Sequence, residues 1–437
     1  MRIILNCRKD NLTKAYCITN LHFNQMKKLF TLFLLSISLV GFGQNCDTKY
    51  QNIIFDSVDV STVQYGAAMN ADGVMQDLFM DIYQPKGDTA SNRPLVLLAF
   101  GGSFITGTRT SDELVYFANK LALRGYVVAS IDYRLGKITD LGQEQGLVKT
   151  VFRAVQDGKA AVRFFRKDAD TDNNYRINPA TIFTGGTSAG AILQLHLAFV
   201  DDVNKLPMQW QTWLGEVGGL EGNSGNPGYC SKSNGVFSFS GGFADTSWIE
   251  PNDVPVYSVH STQDGIVRYD YGRPIGGNAP IELYGSGLIT PRLLNIGVHA
   301  VLDTYQDDTH PSFLVEGDAA ETARRLDSTE KHLVKFLHDI LPCNTNNVLA
   351  TDQEQCQSFT SVEELAVNNE FYLYPNPADN EIFISNRLKG EAQIFDQTGK
   401  LVKSEIISTN KIYVGDLETG IYFVGLPNGD RHRVIIK

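Results

Sequence analysis

Three candidate residues occur along the chain in the order serine, aspartate and histidine. These residue types together perform nucleophilic catalysis. Ser188 stands in the pentapeptide Gly186–Gly190, between a β-branched and aromatic run and an apolar run that predicts a helix. This order of strand, glycine-rich turn and helix is typical of a nucleophile elbow, which exposes the serine hydroxyl at the helix N-terminus. Without that context, a serine between glycines is usually only a turn. Ser188 is therefore the candidate nucleophile.

The candidate acid and base lie in two later loops. Asp264 follows a predicted buried strand, Pro255–Val259, and His310 follows the predicted last strand, Ala300–Tyr305. An aspartate before a glycine can also be a plain turn residue, and Asp270 lies just beyond as a fallback. The chain order of serine, aspartate and histidine is the one that a catalytic triad takes on a mainly parallel sheet with a nucleophile elbow.

The chain has eight histidines, so the choice of His310 needs a comparison. His299 is the main rival, but it precedes the last strand and is expected at the opposite sheet edge from Ser188. His260, at the end of the strand before Asp264, is expected to support that loop by hydrogen bonding. Three further histidines are assigned to helices, His196 in packing behind the nucleophile and His332 and His338 on the C-terminal amphipathic helix.

Backbone N–H groups that could bind an oxyanion follow another apolar strand. The continuous run Pro94–Phe100 ends in two glycines, and Gly102 and Ser103 are the candidate donors there. Together with the N–H of Ala189, directly after Ser188, they predict an oxyanion hole. The alternative is an ordinary Gly-Gly loop.

Hydrophobic periodicity predicts the elements that would position these residues. A helix over Ser111–Arg124, with Gly125 at its C-terminal end, lies between apolar strands at Leu95 and Val127. Such a β-α-β unit implies a parallel sheet. A second helix over Val151–Arg166 repeats the pattern. The expected fold class is therefore α/β, with a mostly parallel sheet flanked by helices.

Two polar segments of this region have alternative interpretations. The Gly-rich stretch Asp201–Lys232 is predicted to form a lid or pocket wall, in which Trp210 and Trp213 either line an acyl or alcohol pocket or simply pack. The segment Asp168–Asn174 has the alternating acids of a calcium loop. It lacks the glycine at the sixth position and the glutamate at the twelfth, so a solvated connection is favoured and no metal site is predicted.

From about Met80 to Leu341 the chain resembles the α/β-hydrolase-fold carboxylesterases, in the group that includes the hormone-sensitive-lipase-like and type-B esterases. The segments that carry the resemblance are Asp81–Pro85, Gly101–Phe104, Gly125–Val128, Asp132–Leu135, Asp157–Arg163 and Gly186–Gly190. The resemblance implies ester hydrolysis by Ser188, His310 and Asp264 without a cofactor. The family usually has a histidine before the two glycines, which braces the oxyanion loop. Here that position is Phe100.

Composition and the N-terminus favour an exported protein. The 437 residues, 43 % of them hydrophobic, suffice for two or three domains, and a net charge of −11 argues against nucleic acid or anionic membrane as a partner. Residues 26–44 predict a signal peptide, so residues 1–25 are interpreted as a misassigned start and no membrane span is expected after processing. Disulfides are expected among four cysteines, with three pairings open: Cys46, Cys230, Cys343 and Cys356.

Two domains are expected, a catalytic domain over residues 45–343 and, after a linker over 344–369, a small all-β sandwich over 370–437. The sandwich resembles the C-terminal sorting domain of Bacteroidota, which implies the type IX secretion machinery as a partner and a route through the periplasm to the surface or outside. A carbohydrate-binding module is the alternative. Against it, four aromatic residues follow strand alternation and are expected in the core: Tyr372, Tyr413, Tyr422 and Phe423.

Taken with the resemblance, these patterns predict a secreted serine carboxylic-ester hydrolase that acts on a small-molecule or polymer-attached ester. Two alternatives stay within the hydrolases: an acetyl or feruloyl esterase on polysaccharides, and a secreted lipase or polyester hydrolase. A third belongs to another class, a non-catalytic adhesion or carbohydrate-binding protein on a hydrolase fold. The intact order of serine, aspartate and histidine argues against the third.

Overall fold

The computed structural model describes residues 49–342, 373–374, 377–384, 389–396, 400–407, 411–427 and 431–437. These residues fall into two compact units, one up to residue 342 and one from residue 373 onward. The predicted misassigned start, signal peptide and linker lie outside the described residues, so they stay predictions.

The first unit is built on an eight-stranded sheet. In spatial order its strands are β1 (Val58–Met69), β2 (Met75–Pro85), β4 (Val127–Ile131), β3 (Arg93–Ala99), β5 (Ile177–Thr187), β6 (Gly235–Phe239), β8 (Val256–Ser261) and β11 (Ala300–Tyr305). The pairs β1/β2 and β2/β4 are antiparallel, and every other pair is parallel. β3, β4, β6 and β8 are buried throughout, as expected for parallel strands covered on both faces. A small second sheet contains β7 (Gly242–Phe243), β10 (Leu283–Gly285) and β9 (Tyr271–Gly272).

Six α-helices accompany this sheet within the described residues. They are α1 (Asp112–Ala122), α2 (Glu144–Asp170), α3 (Ala189–Phe199), α4 (Met208–Glu216), α5 (Ser286–Asn295) and α6 (Ala319–Asp339). α1 matches the predicted helix to within two residues at each end, and Gly125 behind it has a φ of +102°, which few residues other than glycine adopt. α4 lies inside Asp201–Lys232, the polar stretch predicted to form a lid or pocket wall. None of the helices in the described part of the chain is long and apolar enough to span a bilayer.

The sheet places four loops at one edge. The carboxyl ends of β3, β5, β8 and β11 point the same way because these strands are parallel, and the loops that follow them carry Gly102, Ser188, Asp264 and His310 in turn. In open α/β sheets this edge is where ligands bind. The architecture confirms the predicted α/β fold class.

The second unit consists of two antiparallel sheets. One contains β12 (Leu373–Tyr374), β13 (Glu381–Ile384) and β16 (Lys411–Tyr413), and the other contains β15 (Leu401–Ile407), β14 (Gly390–Phe395), β17 (Gly420–Gly425) and β18 (Arg431–Ile436). Aliphatic side chains from both sheets share one core, among them Ile382, Ile394, Ile412, Val424 and Val434. This agrees with the predicted all-β unit.

The prediction that aromatic residues fill this core was wrong for two of them. Tyr413 is 47 % exposed and Phe423 is 41 % exposed, while their neighbours Ile412 and Val424 are buried. Since successive side chains of a strand point to opposite faces, the inward positions go to the β-branched residues and the aromatic residues face outward. Tyr422 is half-buried against the core, and Tyr372 lies outside the described residues.

Candidate active site

The turn that carries Ser188 is sharp, and its glycines are required by close packing. Ser188 has φ of +53° and ψ of −116°, a backbone conformation that non-glycine residues rarely adopt. A Cβ on Gly186 would lie 2.3 Å from the carbonyl oxygen of Ala99, and one on Gly190 would lie 2.1 Å from the same oxygen. The elbow can therefore approach the end of β3 only with glycine at both positions. This close approach holds Ser188 at the N-terminus of α3.

Ser188, His310 and Asp264 form one continuous hydrogen-bonded chain. The distance from Ser188 Oγ to His310 Nε2 is 2.8 Å, and that from His310 Nδ1 to Asp264 Oδ2 is 2.7 Å. An ionised carboxylate can only accept, so Nδ1 carries the proton and Nε2 accepts the hydrogen bond of the serine hydroxyl. The Asp264 side chain is fully buried, and the His310 side chain is 11 % exposed. The geometry is that of a base poised over a serine hydroxyl.

Four groups surround the carboxylate of Asp264. Oδ1 accepts hydrogen bonds from the backbone N–H groups of Ile266 and Val267, at 2.8 and 3.0 Å. Oδ2 lies 2.7 Å from His310 Nδ1 and 3.3 Å from His260 Nε2. Burial alone would raise the pKa of Asp264, but the hydrogen bonds from His260 and His310 outweigh it and lower the pKa to about 2. Asp264 is therefore ionised over the whole range in which a histidine can serve as a base.

The lowered pKa of Asp264 predicts a loss of stability in acid. An unfolded aspartate has a pKa of about 3.9, so the stability that Asp264 contributes is present above that pH and is lost as the pH falls toward about 2. We expect the free energy of unfolding of Asp264→Asn to fall less steeply than that of the wild type between about pH 5 and pH 2. Denaturant unfolding at a series of pH values measures both slopes.

The exposed neighbour Asp270 supplies the matched control for this experiment. Asp270→Asn is expected to follow the wild-type slope. Equal slopes for Asp264→Asn and the wild type would contradict the stabilising role of the charged form of Asp264.

Other histidines and Asp270 lie where they cannot replace these three residues. His260 is fully buried, with Nδ1 3.0 Å from Ser286 Oγ and Nε2 2.9 Å from the carbonyl oxygen of Val267, so its hydrogen bonds tie together the loop behind β8. His299 precedes β11, and its ring stacks on Phe336 with ring centroids 6.0 Å apart. The structure brings Asp264 to His310 and leaves Asp270 exposed.

The loop that carries His310 is held by a residue that the sequence did not single out. Arg325 of α6 pairs with the carboxylate of Asp307, donates to the carbonyl oxygen of Ser312 at 2.8 Å, and places its guanidinium 4.1 Å from the ring centroid of Tyr305. These contacts lie on both sides of His310. No local motif marks such a contact, because α6 meets the loop only in the folded chain.

The loop after β3 exposes the candidate oxyanion donors. Gly102, Ser103 and Phe104 have φ values of +119°, +53° and +62°. Three successive positive φ angles turn the chain away from β3, and Ser103 and Ala189 both line one cavity with Ser188. A Cβ on Gly101 would lie 3.2 Å from Cβ of Ser188, so the loop and the elbow are in contact.

Phe100 is braced by an aromatic stack instead of by the polar contacts of a histidine. Its ring lies on that of Tyr133, with centroids 4.2 Å apart and an angle of 16° between the planes. The Tyr133 hydroxyl donates to the carbonyl oxygen of Phe100 at 2.8 Å. Both residues are buried, so the start of the oxyanion loop is fixed by packing and by one buried hydrogen bond.

A cavity opens beside Ser188. α2 supplies Leu147, Val148, Val151 and Phe152 to its wall, α3 supplies Ile192 and His196, α4 supplies Trp210, and the segment from Pro274 to Leu283 supplies further apolar side chains. Trp210 therefore lines the pocket, which is one of the two alternatives predicted for the tryptophans of Asp201–Lys232. Trp213 is not part of the lining. The apolar wall would bury a hydrophobic part of a ligand next to the serine.

Two remaining predictions concern cysteines and calcium. Cys230 is the one cysteine of the expected set that lies within the described residues, so the disulfides and their pairing stay predictions. The Asp168 carboxylate accepts hydrogen bonds from Asn174 N, Asn174 Nδ2 and Tyr175 N, at 3.0, 2.9 and 3.1 Å. It therefore closes the turn after α2.

Two family models match the chain. Residues 80–223 match the family BD-FAE, which has a hormone-sensitive-lipase-like esterase fold, and residues 372–437 match the secretion system C-terminal sorting domain. No curated protein matches the chain.

Among solved structures, the similar ones include esterases from the Planctomycetes species Thermogutta terrifontis. A thermophilic esterase with propionate bound is 20 % identical at a TM-score of 0.46, and the match covers 63 % of this chain and 94 % of that one. Esterase 2 phosphorylated by paraoxon is 21 % identical at a TM-score of 0.46, with the same coverage. The apo form of esterase 2 is 21 % identical at a TM-score of 0.44, covering 65 % of this chain and 96 % of that one.

The family matches confirm both resemblances that the sequence motifs carry. The first unit contains an esterase domain, which makes the chain a carboxylic ester hydrolase. The C-terminal match assigns the protein to type IX secretion, to the cell surface or the outside.

Proposed function

We propose that this chain, which carries a BD-FAE esterase domain and a type IX sorting domain, is a secreted serine esterase that works through an acyl-enzyme. The observation that carries the proposal is the hydrogen-bonded chain from Ser188 Oγ through His310 to Asp264. Each residue of this chain is presented by a separate loop at the carboxyl edge of the sheet. A merely structural serine would not need a histidine and a buried carboxylate aligned behind it.

In the proposed mechanism, Ser188 attacks the ester carbonyl while His310 Nε2 takes the hydroxyl proton. Asp264 holds the imidazole in the required tautomer and stabilises the imidazolium. The negative charge that develops on the carbonyl oxygen is bound by the N–H groups of Gly102, Ser103 and Ala189. His310 then protonates the leaving alcohol. A water molecule, deprotonated by His310, attacks the acyl-enzyme and releases the acid, and Ser188 recovers its proton.

The cavity beside Ser188 favours esters with an apolar group larger than acetyl. Its wall is made largely of aliphatic and aromatic side chains from α2, α3 and α4. Burial of hydrophobic surface contributes about 25 cal/mol per Å², so a longer apolar chain gains binding energy that an acetyl group does not. We expect p-nitrophenyl esters of medium-chain acids to have higher kcat/KM than p-nitrophenyl acetate.

A fluorophosphonate probe tests the proposed function directly. The probe reacts with serines that a neighbouring base has activated, and we expect mass spectrometry to locate the label on the peptide that contains Ser188. Labelling of a different serine, or no labelling of folded protein, would contradict the proposed nucleophile. The absence of both labelling and turnover would favour the non-catalytic adhesion or carbohydrate-binding alternative.

Truncation separates the two domains. Every residue of the proposed mechanism precedes residue 343, so a chain that ends near Thr360 is expected to keep full activity on soluble esters. Without the sorting domain, the same protein is expected to stay in the periplasm of its native host. Activity and location are measured in cell fractions.

Two outcomes of the truncation experiment would contradict these expectations. If the shortened protein were still secreted, residues 370–437 would not be the export signal. If it also lost binding to an insoluble polymer, those residues would form a substrate-binding module.

A further inference from the structure

The proposed mechanism leaves one buried titratable side chain of the cavity unused. His196 lies on α3, is only 4 % exposed, and lines the same cavity as Ser188. A helix rises about 1.5 Å per residue, so the eight residue steps from Ser188 to His196 span about 12 Å. Ile192, midway between them, also lines the cavity. The cavity therefore runs along α3, from the candidate nucleophile to His196.

The hydrogen bonds of His196 leave one of its ring nitrogens free. Nδ1 lies 2.7 Å from the carbonyl oxygen of Ile192. A carbonyl can only accept, so Nδ1 carries the proton and Nε2 is left as an acceptor. Nε2 has no hydrogen-bond partner among the described residues. It is not fully enclosed by the protein. His196 is almost fully buried and is one of the residues that line the cavity, so the little exposure that its side chain retains is toward the cavity.

The histidine is neutral at the pH at which the enzyme would work. Burial lowers the pKa of His196 to about 4, against a smaller opposing effect of the hydrogen bond to Ile192. Its ring packs beside Phe243, with centroids 4.8 Å apart, which fixes its orientation. His196 is thus a fixed, uncharged acceptor in a pocket of apolar side chains.

The rest of the cavity offers little competing polarity. Apart from His196 itself and from Ser188 and Ser103 near the proposed reaction centre, the side chains that line it are apolar, with one further exception. That exception is Trp210, whose Nε1 already donates to Glu144 at 2.8 Å. A purely apolar substrate chain would cover Nε2 of His196 without giving it a donor, and burying an unpaired acceptor is unfavourable.

We propose that His196 accepts a hydrogen bond from a hydroxyl group at the far end of the substrate, so that the enzyme selects esters whose apolar acyl or alcohol chain ends in such a donor. The inference rests on the proposed function and extends it to a substrate class. His196 would be the residue that determines this specificity, and Ile192 and Trp210 would pack on the chain that leads to it.

Matched substrate pairs test the proposal, because each pair differs only in a hydroxyl and a methyl group. For the acyl side the pair is p-nitrophenyl ω-hydroxyoctanoate and p-nitrophenyl nonanoate, and for the alcohol side it is the monoacetate of octane-α,ω-diol and nonyl acetate. We expect the wild type to prefer the hydroxylated member of one pair by about tenfold or more in kcat/KM. The pair that shows the preference identifies the side of the ester that enters the cavity.

Substitution of His196 should reverse the preference. In His196→Leu the acceptor is gone, and an apolar pocket favours the methyl group, so the ratio should fall below one. His196→Phe, which keeps a ring beside Phe243, is a second variant in case the leucine variant does not fold. His332→Leu, which replaces an exposed histidine of α6, should keep the wild-type ratio.

The ratio within one variant cancels any general loss of activity, so the outcomes can be distinguished. Hydrolysis of both members at equal rates by the wild type, in both pairs, would overturn the role of His196 and leave the serine esterase intact. A preference that survives both substitutions would also overturn it. Absence of hydrolysis, or hydrolysis that persists in Ser188→Ala, would instead overturn the proposed function, and this inference with it.

Discussion

Replacement of Ser188 by alanine is expected to lower kcat/KM for ester hydrolysis by about 10⁴-fold or more while leaving the fold intact. The substitution removes the attacking oxygen, and the hydrogen bond that is lost, to His310, is one that the mechanism uses and the fold does not require. Alanine keeps the Cβ, so the strain at the positive φ of the elbow does not increase. Turnover of p-nitrophenyl esters and thermal unfolding measure the two expectations separately.

An exposed serine provides the control for this substitution. Ser61 lies on β1, at the far edge of the sheet, and Ser61→Ala should keep both activity and stability at wild-type values. If purified, folded Ser188→Ala retained turnover near that of the wild type, the assignment of nucleophile, base and acid would all be lost, because each depends on the position of the serine.

Local sequence patterns could predict the elbow and the α/β sheet because the constraints that produce them are local. The close approach of Gly186 and Gly190 to Ala99 requires glycine at two fixed positions, and a pentapeptide records this requirement. Buried parallel strands need continuous apolar runs, and these are equally visible in the sequence. The fold class is confirmed. The roles of the site residues stay predictions, to be decided by the substitutions proposed for them.

The walls of the cavity could not be predicted, because they come from segments that are distant in the chain. Phe152, Trp210 and Leu283 meet only after the sheet and its helices have formed. The sequence patterns predicted that His196 packs behind the nucleophile, and this describes only part of its surroundings in the structure. It is buried, as packing requires, but it also lines the cavity, and only Nδ1 of its ring has a hydrogen-bond partner among the described residues. No periodicity distinguishes a buried face from a face that lines a pocket.

Two further differences have the same origin in tertiary context. Tyr413 and Phe423 alternate with buried residues as core positions would, but alternation alone does not say which of the two faces is inside. Phe100 replaces a polar residue of the family motif, and the sequence did not show what takes over the bracing. The ring of Tyr133 and its hydroxyl occupy that role in the structure.

Replacement of His310 by alanine is expected to be nearly as damaging as the loss of Ser188, with a fall in kcat/KM of about 10⁴-fold or more. Without the imidazole, Ser188 has no base within hydrogen-bonding distance, since His310 Nε2 is the group that lies 2.8 Å from its Oγ. The Asp264 carboxylate would keep its backbone N–H donors and could not reach the serine. Steady-state kinetics on purified protein, with thermal unfolding alongside, give the measurement.

His299→Ala separates a catalytic histidine from a merely nearby one. His299 lies at the amino end of β11, exposed, with its ring stacked on Phe336, so its loss should cost at most about 1 kcal/mol of stability and leave kcat unchanged. The two histidines flank the same strand, and the direction of that strand decides which of them reaches Ser188. A large loss of activity in folded His299→Ala, with a small one in His310→Ala, would mean that the base approaches from the other end of β11. The parallel pairing of β11 with β8 supports the expected outcome, because it carries His310 and Asp264 to the same edge of the sheet as the proposed nucleophile.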